Sequence, residues 1–271
     1  MTIIKRDGPP KTAADPGYAS RLFLAAHTEG SLSTSSLQAL TAIDLGAQIQ
    51  AGLGIPVDDV QGSEVLLLTI MPDDSSSMRP NEQVVCDGHN LVMSALEASK
   101  QRDAILAHTR YLNGTILFPY RPIEQAVRMG SANFSAIHGT PLYDESVVIL
   151  GSVLAKTREL ETNGISARSV TLLITDGADE SSRRAKARDV AALVRDLDRA
   201  ESHIVAAMGI SNGTTDFRHV FHEMGIEDRW ILTPGNTPAE IRAAFQVFSQ
   251  SAIRASKAAC YSQSTLGGFG P

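Results

Sequence analysis

The chain has 271 residues, of which 43% are hydrophobic, 20% charged and 5% aromatic, with a net charge of −6 and two cysteines. That is the composition of a globular protein with an aliphatic core. The acidic balance and the lack of any Lys/Arg block argue against nucleic acid and membrane as partners. Cys86 and Cys260 are too few and too scattered for a disulfide framework or a zinc site, which fits reduced thiols in the cytoplasm. The first residues hold no apolar core of signal-peptide length, and no run approaches the ~18 apolar residues of a membrane span.

Residues 1–30 open with Gly8, Pro9, Pro10, Pro16 and Gly17 and are expected to form a flexible arm. Residues 31–60 form a helical extension, since Leu37, Leu40, Leu45 and Ile49 recur at near-helical spacing before Gly52 and Gly54. It is either one helix or two short ones broken near Gly46. The main domain is expected over 61–258. Its first strand is the apolar run Glu64 to Met71, which ends abruptly in Pro72-Asp73-Asp74-Ser75-Ser76-Ser77. A long amphipathic helix follows from Pro80-Asn81-Glu82 and buries Val84, Val85, Leu91, Val92, Ala95 and Leu96. Ala104–Ala107 and Gly114–Phe118 read as an antiparallel pair across an Asn113-Gly114 turn, and Glu124–Met129 as a helical turn.

A polar loop then leads to Thr140 and a helix through Val147 and Leu154. Ser169–Thr175 repeats the first strand, again breaking into a polar loop, Asp176-Gly177-Ala178-Asp179. The rest is a helix over Val190–Leu197, a strand His203–Met208, a helix Phe217–Met224, a short strand Trp230–Leu232 and a last helix from Pro238. Residues 259–271 read as a flexible tail. This alternation implies a doubly wound, mostly parallel α/β sheet with one antiparallel edge strand and helices on both faces.

Open sheets of this kind keep their sites at the carboxyl ends of strands. Asp73, Ser75 and Ser77 alternate along one loop, so a tight curl turns their oxygens toward a single point that suits a hard cation. The same pentapeptide also reads as an ordinary connection whose side chains cap the next helix. If the sheet gathers the three loops, three hydroxyls and two carboxylates become available. Such a site leaves a bound ion partly unneutralised and open to an outside carboxylate.

At these residues the sequence resembles a known family. Asp73-x-Ser75-x-Ser77, Thr140 and Asp176-Gly177 match, in order and in place on the expected elements, the metal-ion-dependent adhesion site (MIDAS) of von Willebrand factor A (VWA) domains, over roughly residues 64–257. The stretch Phe245–Ala259 is similar to intracellular bacterial VWA proteins of the stress-response and tellurium-resistance neighbourhood. The resemblance implies a Rossmann-like fold and Mg²⁺ held by Ser75, Ser77 and Thr140 directly, with Asp73 and Asp176 acting mostly through water; Mn²⁺ and Ca²⁺ are the other metals considered. Two departures stand out: Ser76 where the family often has Gly, and Pro72 at the strand end.

The function implied is a Mg²⁺-dependent protein-binding module in a cytoplasmic multiprotein assembly. Its partner would offer an acidic side chain to the metal, the candidates being an AAA+ ATPase or another copy of this chain. The chain is expected not to be an enzyme. The rival readings are a phosphoryl-transfer or hydrolytic enzyme using Asp73, which expects a well-placed lysine late in the domain where Lys257 lies too far along, and a structural subunit whose metal only stabilises loops. His219 and His222 lack a third metal ligand, and Ser75 with His138 lacks the glycine elbow of a serine nucleophile. No Gly-rich phosphate loop is present. The basic cluster Arg183, Arg184, Lys186 and Arg188 is flanked by acids and reads as a solvated helix face.

Overall fold

The computed structural model describes residues 17–42, 45–257 and 267–269. Among these, six strands form one sheet: β1 (Glu64–Pro72), β2 (Ile105–Arg110), β3 (Ile116–Pro122), β4 (Ser166–Thr175), β5 (His203–Gly209) and β6 (Ile231–Leu232). The order is β3-β2-β1-β4-β5-β6, and all pairs are parallel except β2 with β3. β1 and β4 are neighbours at the centre, and their near-continuous apolar runs are buried on both faces. The chain winds outward from them in opposite directions, so the loops after β1 and β4 meet at the topological switch point, where such sheets form a crevice.

The helices are α1 (Tyr18–Thr28), α2 (Thr34–Thr41), α3 (Leu45–Gly52), α4 (Glu82–Glu97), α5 (Leu142–Thr162), α6 (Ala187–Arg199), α7 (Phe217–Glu223) and α8 (Pro238–Lys257). One face of the sheet is covered by α4 and α8, which lie against each other. Gly88 makes that approach possible, because a Cβ there would collide with the Phe245 ring. The other face carries α5 and α6, and α1 to α3 form a further layer over them. Gly151, in the middle of α5, has the same role for this layer, since an added Cβ would overlap Ile49 and Leu40.

Polar ties fix the outer layer. The ammonium of Lys156 on α5 is buried and donates to the Ile55 carbonyl at 2.5 Å and to Glu159 Oε2 at 2.6 Å, while the Tyr18 hydroxyl donates to Glu159 Oε1 at 3.2 Å. Burial lowers the Lys156 pKa and the Glu159 carboxylate opposes that shift. On α6, Asp196 Oδ2 accepts the Ser33 N–H at 2.7 Å, which anchors the start of α2.

Three expectations are corrected here. The arm expected over residues 1–30 is helical from Tyr18, with Tyr18, Ala19, Phe23 and Ala26 buried in the main core, so apolar spacing outweighs the Pro and Gly before it; residues 1–16 lie outside the described residues. The tail expected to be loose over 259–271 includes Phe269, which meets Trp230 edge-on at 5.5 Å and donates its N–H to the Arg229 carbonyl. The helical turn expected over Glu124–Met129 is a single 3₁₀ turn at Ile123–Gln125, followed by extended chain. The extension forms two short helices, the second of the two readings offered, with α2 ending at Thr41 and α3 beginning at Leu45. No helix among the described residues is long and apolar enough to cross a membrane.

Candidate functional site

The loops after β1 and β4 start as extensions of the sheet. β1 pairs with β2 only as far as Ile70 but with β4 through Pro72, and the Asp73 N–H continues that ladder to the Ile174 carbonyl at 2.9 Å. Pro72 lacks a donor but still accepts: its carbonyl takes the Leu112 N–H at 3.0 Å, so the strand end stays tied to the chain leaving β2. Ser76 needs no glycine either, since Glu201 is the one non-glycine residue with positive φ among the described residues.

The expected curl is present. Asp73 Oδ1 accepts the Ser75 N–H at 2.7 Å, closing a short Asx turn, and the Ser75 and Ser77 hydroxyl oxygens lie 3.0 Å apart. Ser77 Oγ donates to Asp176 Oδ1 at 2.7 Å, so the proton between the two serines belongs to Ser75. Thr140 enters through its main chain: its carbonyl accepts the N–H groups of Glu180 and Ser181, and two residues earlier His138 bridges to the β1 loop. Thr140 is buried, at the start of α5, between the two loops. Four of the five expected residues are thus linked through their side chains, and Thr140 joins only by its carbonyl to the loop after β4.

Both carboxylates are held in an unfavourable state. Asp73 and Asp176 have pKa values raised by burial, only partly offset by hydrogen bonds from Thr175 and Ser75 to Asp73 and from Ser77 to Asp176, and their mutual repulsion raises Asp176 further. Among the described residues neither is in an ion pair, and no three His, Cys, Asp or Glu side chains cluster as an ordinary metal cage. A divalent ion fits this arrangement. Adjacent oxygens of an octahedral Mg²⁺ shell lie about 2.9 Å apart, close to the 3.0 Å between the Ser75 and Ser77 hydroxyls.

Several further residues build the site, of which Asp179 and Asn212 lie in loops expected to form its rim. Thr175, just before Asp176, places its hydroxyl 2.7 Å from Asp73 Oδ2 and accepts the Gly177 N–H. Asn212 donates to the Asp176 carbonyl at 2.7 Å and ties the β5 loop to the site. Asp144 accepts the main-chain N–H groups of residues 183–185, and Asp179 turns inward to Tyr143 N and Ser182 Oγ. Polar residues next to a strand end were the available signal. Asp74 does face away from the serines: its Oδ1 accepts the Asn113 N–H at 3.0 Å, and burial pushes its carboxyl up to about 6.

The rim has one exposed apolar side chain, Ile137, at 59% exposure. Its position is fixed, because the flanking Ala136 N–H donates to Glu82 and the His138 main chain bonds Asp74 and Ser76 on both sides. Of the residues the other readings invoked, His138 stays beside the cluster through its bridge to Ser75, while Lys257 and His222 lie elsewhere. Ala255 and Ser256, just before Lys257, share a groove with Glu64 to Leu66, at the amino ends of the strands and across the sheet from Asp73. His138 is 3.9 Å from Asp74, and His222 pairs with Asp228 on the surface.

Fold and site define a doubly wound α/β domain with a hydroxyl–carboxylate cluster at its switch point. No protein-family model and no curated protein matches the sequence. Solved structures do. The pilus adhesin SpaC from Lactobacillus rhamnosus GG, in its open conformation, aligns with a TM-score of 0.52 and 10% identity over 72% of this chain and 30% of that one. The SpRpn10 VWA domain aligns with a TM-score of 0.46 and 7% identity over 68% of this chain and 95% of that one. Proximal thread matrix protein 1 from the mussel byssus, with a zinc-occupied MIDAS motif, aligns with a TM-score of 0.45 and 15% identity over 69% and 48%. At 10% identity the SpaC match shows a shared Rossmann-like fold and nothing of activity. The chain spans less than a third of SpaC and about half of the mussel protein.

Proposed function

We propose that this chain is a VWA-type module that binds a protein partner through a divalent cation, Mg²⁺ in the cell, within a cytoplasmic multiprotein assembly, and that it is not an enzyme. The observation that carries the reading is the hydrogen-bonded run at the carboxyl ends of β1 and β4, in which Asp73 accepts the Ser75 N–H and the Ser75 and Ser77 hydroxyls lead on to Asp176. Ser75, Ser77 and Thr140 would hold the ion directly, with Asp73 and Asp176 behind them.

The donor set explains why the role is recognition. Hydroxyls do not neutralise a divalent ion, so an incoming Asp or Glu gains a charge contact in a partly desolvated crevice. Ile137 supplies an adjacent apolar contact of the kind that anchors interfaces. A hydrolytic role lacks support from the surroundings: among the described residues no lysine is paired with Asp73, and Thr175 engages its Oδ2.

The test is a pull-down from native lysate, followed by titration of the recovered partner against the purified chain with Mg²⁺ or with chelator. Affinity should require the metal and be lost in Thr140→Ala. Equal affinity in all conditions would place the interface elsewhere, and metal-dependent phosphatase turnover lost in Asp73→Asn would establish the enzymatic rival.

A further inference from the structure

The basic residues near α6 are exposed to solvent, as their sequence suggested. Arg184 and Arg188, joined by Arg195, also line a groove of about 460 Å³ bounded by α2, the start of α3, the first turn of α5 and α6. Ser35 and Gln38 add a hydroxyl and an amide from the opposite wall. The volume lies within the range of small-molecule sites.

The groove's three arginines face two carboxylates in the same lining, Asp144 and Asp189, which leaves the lining with an excess of positive charge. Among the described residues Arg195 has no ion-pair or hydrogen-bond partner. The carboxylate near Arg188 is its chain neighbour Asp189, at 3.9 Å, and that group already accepts the Lys186 N–H. Arg184 lies 3.5 Å from Asp144, whose two oxygens are engaged by three main-chain N–H groups. Arg188 and Arg195 are two helical turns apart and so share one face of α6. A concave wall concentrates their field where a convex one would dissipate it, and guanidinium forks match the oxygens of phosphate and carboxylate groups. No aromatic side chain lines the groove, so recognition by ring stacking is absent.

We propose that this groove is a second binding site, independent of the hydroxyl–carboxylate cluster, for a small anion of at least two negative charges, a phosphate ester or a polycarboxylate. The test is calorimetric titration of the full chain with inorganic pyrophosphate and, separately, with citrate, at fixed ionic strength and in EDTA so that no metal bridges the anion. Saturable binding of at least one is expected, weakened about tenfold or more in Arg188→Gln/Arg195→Gln. The charge-matched control Arg183→Gln/Lys186→Gln should bind as the unmodified chain does. Pyrophosphate binding alone assigns the phosphate class, and citrate binding alone the carboxylate class. No binding of either anion, or an equal loss in both variants, overturns the proposal. All four side chains are exposed, and matched melting temperatures will show that each variant folds.

Discussion

At the scale of single residues, the site depends on second partners as much as on the oxygens that face the ion. Thr175 supplies Asp73 with one of its hydrogen bonds in a buried setting. Thr175→Val removes that donor and leaves a buried carboxylate oxygen unpaired, which should cost about 1–3 kcal/mol in denaturant unfolding. Because such outer partners orient ligands, metal affinity should fall about 10–100-fold; calorimetry with Mg²⁺ checks this. Ile137→Ser should act differently, weakening partner capture while the metal-induced melting shift stays intact. Asp73, Ser75, Ser77, Thr140 and Asp176 were legible because each lies just past, or beside, the end of an apolar run. Thr175 was not, because its role comes from the register of β4, which no local pattern encodes.

At the scale of elements, the sheet was legible and the outer layer only partly so. Continuous apolar runs in β1 and β4, and alternation with helices, leave few ways to fold. The helix α1 was missed because its stripe of Tyr18, Phe23 and Ala26 finds a partner only once α5 exists. The Lys156–Glu159 pair is likewise invisible in sequence, where a lysine followed by a glutamate three residues on reads as a surface pair. In the fold both are buried and hold the extension. Glu159→Ala would leave the ammonium unpaired and should destabilise the chain by about 3–5 kcal/mol, whereas Gly151→Val should cost about 1–3 kcal/mol by pushing α2 and α3 away from α5. Urea unfolding of each variant measures both.

At the scale of the whole molecule, three buried histidines set the acid limit. His89, His108 and His203 have pKa values lowered to about 4 by burial. The unfolded chain takes up protons below about 6.5, so between 6.5 and 4 it binds more protons than the fold, and stability falls as pH falls through that window. Each histidine contributes roughly 2 kcal/mol to this loss at pH 5. Asp74, pushed up to about 6, acts with the opposite sign, its contribution falling as pH rises from about 4 to about 6. Comparison with His108→Gln isolates one histidine: the variant should lose less stability between pH 7 and pH 5 than the unmodified chain.

The central claim is that the Asp73–Ser75–Ser77–Asp176 cluster holds a divalent cation when the chain acts. Binding to the folded state alone raises stability by RT ln(1 + [L]/Kd), about 2.7 kcal/mol at a hundredfold excess of metal over Kd. The most direct measurement is therefore the Mg²⁺-dependent rise in melting temperature of the unmodified chain beside Ser77→Ala/Asp176→Asn, each recorded against its own EDTA baseline. The account predicts a saturable rise in the unmodified chain and none in the double variant; an equal rise in both would place any metal elsewhere and contradict it.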